Sequence, residues 1–129
     1  MKIFSETRGL IAKVQTYRPI KALFFLIVLE VILAWAVYLW KLLPLVGRVE
    51  PVAVHYSVQF GIDRLAAWYW TLLPPVLATL TFFLNSFFCL RLWRRERQEL
   101  ALAVAVYTVV LEALFFAGTF VLVLLNVGI

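Results

Sequence analysis

Three long apolar runs dominate the pattern of the chain: residues 22–43, 65–90 and 100–127. Each exceeds the about 20 residues that a helix needs to cross a hydrocarbon core about 30 Å thick. In lipid a backbone must pair its own N–H and C=O groups, so such runs form helices. The pattern predicts an all-α membrane protein with three transmembrane helices, one integral membrane domain over residues 1–129. Ahead of the first run, Ile3, Phe4, Leu10, Ile11, Val14 and Tyr17 recur at spacings of about three, four and seven residues, with Lys2, Glu6, Arg8 and Lys13 filling much of the rest. This stripe predicts an amphipathic helix over residues 1–18, lying in the inner membrane interface or docked on a cytoplasmic partner. Arg18-Pro19 ends it, because proline disfavours the helical state of the residue before it.

Composition excludes a soluble fold. Of 129 residues, 65% are hydrophobic and 15% charged, against roughly 45–50% and 25% in soluble domains. The first run is not a cleaved signal. Ala34-Trp35-Ala36 has the form of a cleavage site, but the apolar stretch continues to Leu43, past the about 7–15 residues of a signal peptide's apolar region.

Charge supplies an orientation. Lys2, Arg8, Lys13, Arg18 and Lys21 precede the first run, and Arg91, Arg94, Arg95 and Arg97 fill the connection between the second and third. Only Lys41, Arg48 and Arg64 flank or occupy the first connection. The excess predicts a bacterial cytoplasmic (inner) membrane protein with its N-terminus in the cytoplasm and its C-terminus outside. The net charge of +5 thus reflects topology, and no nucleic-acid partner is expected. Arg91, Arg94, Arg95 and Arg97 are candidate anionic-lipid contacts. Tyr38, Trp40, Trp68, Tyr69 and Trp70 are placed at the outer interface, Tyr17 and Trp93 at the inner one. The single cysteine, Cys89, reads as a small buried side chain, with palmitoylation as the alternative.

A few polar residues interrupt the runs, and ionisable groups at membrane depth default to function. Glu30 lies nine residues past Lys21, Glu112 thirteen past Glu99 and Thr81 ten before Arg91. At 1.5 Å per residue these are roughly 13, 20 and 15 Å into their spans. With Thr108 they form a predicted layer near the midplane, with Asn85 closer to the cytoplasmic side. No Lys or Arg shares the layer, so burial favours neutral acids able to donate hydrogen bonds. Two readings follow: contacts that hold helices or subunits together, or a proton or cation path. Gly118, Thr119, Ala113 and Ala117 suit close helix contacts. Pro74 and Pro75 predict a kink in the outer half of the second helix.

The outer connection, residues 44–64, spans 21 residues. Val52, Val54, Tyr56, Val58 and Phe60 alternate with other residues, which predicts an extended stretch or a short hairpin. Gly61 permits a turn, and Asp63 is placed to cap the second helix. His55, Tyr56, Gly61 and Asp63 form a candidate loop clamp, with a hydrogen bond from His55 to Asp63 or to a loop carbonyl. A pH-sensitive contact at His55 is the next reading. One His and one Asp are too few for a structural zinc site, so no metal is expected. No nucleophile–base set or phosphate loop is present, and no enzyme activity is expected.

The segment His55-Tyr56-Ser57-Val58-Gln59-Phe60-Gly61-Ile62-Asp63 resembles the His-Tyr-Asn-x-x-Phe-Gly-x-Asp loop of a group of small, uncharacterised bacterial integral membrane proteins. The similarity extends through Trp68-Tyr69, Pro74 and Asn85, covering residues 51–86. Ser57 stands where the group usually has Asn, and Ala53 where a proline is common. More distantly the loop resembles that of immunity-type multipass membrane proteins. The resemblance implies a bacterial three-helix membrane protein.

The leading functional expectation is a non-catalytic accessory or scaffold protein acting through helix–helix association. It would be a homo-oligomer or a small subunit of a larger membrane complex. Its expected partners are membrane lipids and either itself or other membrane subunits, with bound lipids and no cofactor. The rival is a proton- or ion-linked transport or channel component using Glu30 and Glu112. A membrane immunity or stress role is a third expectation, resting on the distant resemblance.

Overall fold

The computed structural model describes residues 2–16, 18–48 and 51–127, apart from the side chains of residues 2, 10, 13–16 and 63. A first helix, α1 (Lys2–Thr16), precedes α2 (Arg18–Val37), which runs on through a π-helical turn (Tyr38–Leu42) and a 3-10 turn (Leu43–Leu45). An antiparallel hairpin follows, β1 (Val52–Ser57) and β2 (Gly61–Ala66). A 3-10 turn (Trp68–Leu72) leads into α3 (Leu73–Arg94), and α4 (Gln98–Val127) completes the chain. The helical segments Arg18–Leu45, Trp68–Arg94 and Gln98–Val127 are each long and apolar enough to cross a membrane.

Heptad spacing explains how the three long helices pack. The buried stripe of α4 is Ala101, Ala105, Thr108, Glu112, Thr119 and Leu122, stepping by three, four or seven residues. In α2 the buried residues Ile20, Ile27 and Ala34 step by seven. A 3.5-residue period keeps one face turned to its neighbours, and the small residues on it let backbones approach closely. Ile20, Cys89, Trp93, Ala101 and Ala105 form one apolar cluster. Tyr38, Leu42, Leu122 and Val123 form a second at the hairpin end. Starts pack with starts and ends with ends, so α2 and α4 run parallel, with α3 antiparallel to both. Cys89 is buried, its thiol donating to the Ala101 carbonyl at 3.3 Å, as the structural reading expected.

Several expectations are corrected. The second helical segment starts at Trp68 rather than Leu65, which belongs to β2. Pro74 and Pro75 therefore lie in the first turn of α3 and make no kink. A first-turn residue has no intrahelical acceptor for its N–H, so proline costs little there. The irregularity falls in α2 instead, where the Leu43 N–H bonds to Tyr38 O, five residues back. Ala34, Tyr38 and Leu42 are spaced four and four, a row that drifts around an ordinary α-helix. The wider turn keeps Tyr38 and Leu42 facing inward, and both are buried.

Tyr38 and Trp93 were placed at the interfaces, yet each is buried in a core cluster. Trp40, Tyr69 and Trp70 are exposed. Of the small residues, Thr119 is buried, while Ala113 and Ala117 are exposed. Ala34, Ala78, Ala101 and Ala105 fill the close contacts instead. In α1, Ile3 and Phe4 are 75% and 79% exposed, an outward apolar face of the expected kind. Tyr17 and the side chains of Lys2, Leu10, Lys13 and Val14 lie outside the described residues.

Candidate functional site

The polar layer predicted near the midplane lies between the two apolar clusters. Glu30 is ten residues past Ile20, and Glu112 eleven past Ala101, its packing partner. In parallel helices this sets both carboxyls at one height, about 15 Å from that cluster. Glu112 is 1% exposed, and Glu30 is half-buried. Both Glu112 oxygens and Glu30 Oε2 are buried without a hydrogen-bond partner. Glu30 is close enough to act electrostatically on Glu112. A buried polar group without a partner is costly, so the pair is either structurally expensive or in use.

The neighbouring polar groups are paired. One turn along α4, Asn85 Nδ2 donates to Thr108 Oγ1 at 2.9 Å, and Thr108 donates to the Val104 carbonyl at 2.7 Å. Asn85 and Thr108 thus join α3 to α4 through a side-chain hydrogen bond. Thr81 is half-buried, but the cross-helix bond on α3 belongs to Thr79. Trp35 Nε1 donates to Thr79 Oγ1 at 2.8 Å, and Thr79 donates to the Pro75 carbonyl at 2.9 Å. Trp35 lies five residues past Glu30 in an apolar run, so only the helix pairing could reveal its bond to Thr79. Tyr38 OH is a further buried oxygen without a partner.

The outer connection folds as the hairpin. Tyr56 pairs with Ile62, and Ser57 with Gly61, across the two strands. Val58 and Phe60, expected on an alternating strand, lie in the turn instead. Ser57 Oγ accepts the Phe60 N–H at 3.1 Å, and Gly61 follows with φ +73°. Glycine alone adopts that conformation without strain. The register slips around His55, which pairs with Arg64, so Val52 and Ala53 are both buried and strict alternation fails.

Asp63 sits within β2 and not at a helix start, so the predicted cap is not formed. Its side chain lies outside the described residues, and with it the Asp63 half of the predicted clamp. The clamp that the structure does show is made by Asn126, near the end of α4. Asn126 Oδ1 accepts the Ala53 N–H at 2.8 Å, and Nδ2 donates to the Ala53 carbonyl at 2.7 Å. The amide imitates a neighbouring strand, and its second N–H reaches Leu122 O at 2.9 Å. Seventy-three residues separate the partners, so no local pattern marked Asn126.

His55 is exposed at the rim of a cleft of about 430 Å³, lined also by Arg64, Trp70, Pro74, Gly118 and Leu122. Among the described residues no three His, Cys, Asp or Glu come together as metal ligands. At the opposite end of the bundle, Arg91, Arg94 and Arg95 line one groove with Thr7 of α1. Arg97, grouped with them by sequence, lines a separate hollow with Glu96 and Glu99.

Comparison with known protein families, curated proteins and solved structures finds no match.

Proposed function

We propose that this chain is a non-catalytic accessory or scaffold membrane protein. It acts by association, as a homo-oligomer or as a small subunit of a larger membrane complex, in the bacterial inner membrane with its N-terminus in the cytoplasm. The observation that carries the reading is the pinned hairpin. Asn126 ties β1 to the end of α4, while Val58 and Phe60 at the hairpin turn are 94% and 78% exposed. Large apolar side chains held out on a fixed support suit contact with another membrane protein subunit or a second copy. Purification in mild detergent followed by mass measurement tests this. An assembly is expected, and Val58→Ser with Phe60→Ser should dissociate it while leaving the helical content unchanged. A strict monomer without a co-purifying subunit would overturn the proposal.

A second reading has its own support: the Glu30–Glu112 pair, three of whose four oxygens are buried and unpartnered. Two carboxyls at one depth between parallel helices can take up and release a proton, the chemistry of a proton-linked component. Liposomes carrying a pH dye would show proton flux that Glu30→Gln and Glu112→Gln abolish. Equal flux in the wild type, both variants and empty liposomes would eliminate this reading.

A further inference from the structure

The turn between α3 and α4 ends the bundle beside α1, and a groove of about 450 Å³ opens there. It is lined by Phe87, Leu90, Arg91 and Arg94 of α3, by Arg95 just past its end, and by Thr7 of α1. On α3 the residues form two adjacent rows, Phe87–Arg91 and Leu90–Arg94, each stepping by four along one helix face, with Arg95 at the cap that follows. Guanidinium groups therefore collect at one end of the groove and apolar side chains at the other. Among the described residues no carboxylate lines it.

Arg94 Nη2 donates to Thr7 Oγ1 at 3.2 Å, and the Thr7 hydroxyl donates to the Ile3 carbonyl at 2.7 Å. This arginine is thus aimed by a neutral partner on another helix, and among the described residues no carboxylate matches its charge. Guanidinium is always charged, and its fork of N–H donors fits phosphate oxygens. Away from the turn the Phe87 row continues through Leu84 and Leu80, which are both exposed. From Leu80 to Arg91 this apolar track is about 16 Å long, close to the length of an acyl chain.

We propose that the groove binds one anionic phospholipid. The headgroup phosphate is held by Arg91, Arg94 and Arg95, and an acyl chain lies along Phe87, Leu84 and Leu80. The shared chemistry is a phosphate ester, and the apolar track selects a lipid over free phosphate. A zwitterionic headgroup is disfavoured, because its ammonium would sit among three guanidinium groups. The proposal is independent of whether the chain assembles through its hairpin.

The test is native mass spectrometry of the delipidated full chain titrated with phosphatidylglycerol or phosphatidylcholine. One phosphatidylglycerol is expected to be retained in preference to phosphatidylcholine. Arg91→Gln and Arg95→Gln should each weaken it about fivefold. Arg97→Gln, the same charge change outside the groove, should leave it unchanged. Thr7→Val, which keeps every charge, should also weaken binding, and it serves if the arginine variants fail to fold. Equal binding of the two lipids, or an equal loss in Arg97→Gln and Arg91→Gln, would overturn the site in favour of diffuse surface charge. Displacement of the lipid by excess inorganic phosphate would assign the groove to free phosphate.

Discussion

Asn126 holds three hydrogen bonds at once, two to the Ala53 backbone and one to Leu122 O. In Asn126→Leu the Ala53 N–H and carbonyl lose their partner at a buried strand end. Each such loss costs about 1–3 kcal/mol. Amide hydrogen exchange should therefore accelerate in β1 and leave α2, α3 and α4 unchanged; unaltered exchange in β1 would show that the strand is held by other contacts. Glu112 presents the opposite case. Its oxygens have no partner to lose, so Glu112→Leu replaces a costly buried group with an apolar one of similar size. Such exchanges are often neutral or stabilising. The melting temperature in detergent should stay level or rise, and a marked fall would reveal a hydrogen-bond partner for the carboxyl in the assembled protein.

At the scale of the elements, the way each helix begins and ends governs the outcome. Because Pro74 and Pro75 occupy the first turn of α3, Pro74→Ala, at the half-buried member of the pair, should change stability by less than about 1 kcal/mol. The about 3 kcal/mol associated with an interior proline does not apply, as thermal melting can verify. The other end of α3 is closed by paired bonds, Arg97 N–H to Leu92 O and Glu96 N–H to Trp93 O, both at 3.0 Å. This closure puts Glu96 at φ 57°, a left-handed conformation that glycine adopts more easily. Glu96→Gly is expected to raise stability by up to about 1 kcal/mol, seen as a higher melting temperature. No change would mean that the glutamate side chain offsets the strain.

For the whole molecule, the three long segments and their charge asymmetry set the expected threading. Gln59→Cys, in the hairpin turn, and Gln98→Cys, at the start of α4, test it in a Cys89→Ala background. An impermeant maleimide added to intact cells should label Gln59→Cys and spare Gln98→Cys, and the reverse pattern would invert the proposed topology. What could be read from the chain was whatever depends on neighbours in sequence. Helix-length apolar runs and the turn at Gly61 follow from hydropathy and local backbone preference, whereas Arg18 and Pro19, expected to break the chain, are helical and open α2, where a first-turn proline is tolerated. The height of Glu30 and Glu112 along their helices is also local, because a helix rises by a constant amount per residue. The pairing of distant residues has no such local cause. Asn126 reaching Ala53, Trp35 reaching Thr79 and the inward turn of Tyr38 depend on which helix faces meet and at what height. The same holds for the separation of Arg97 from Arg91, Arg94 and Arg95, which follows from how α3 is capped and where α1 docks. Local composition dictated the helical runs, and packing between them decided which polar groups found partners and which were buried without one.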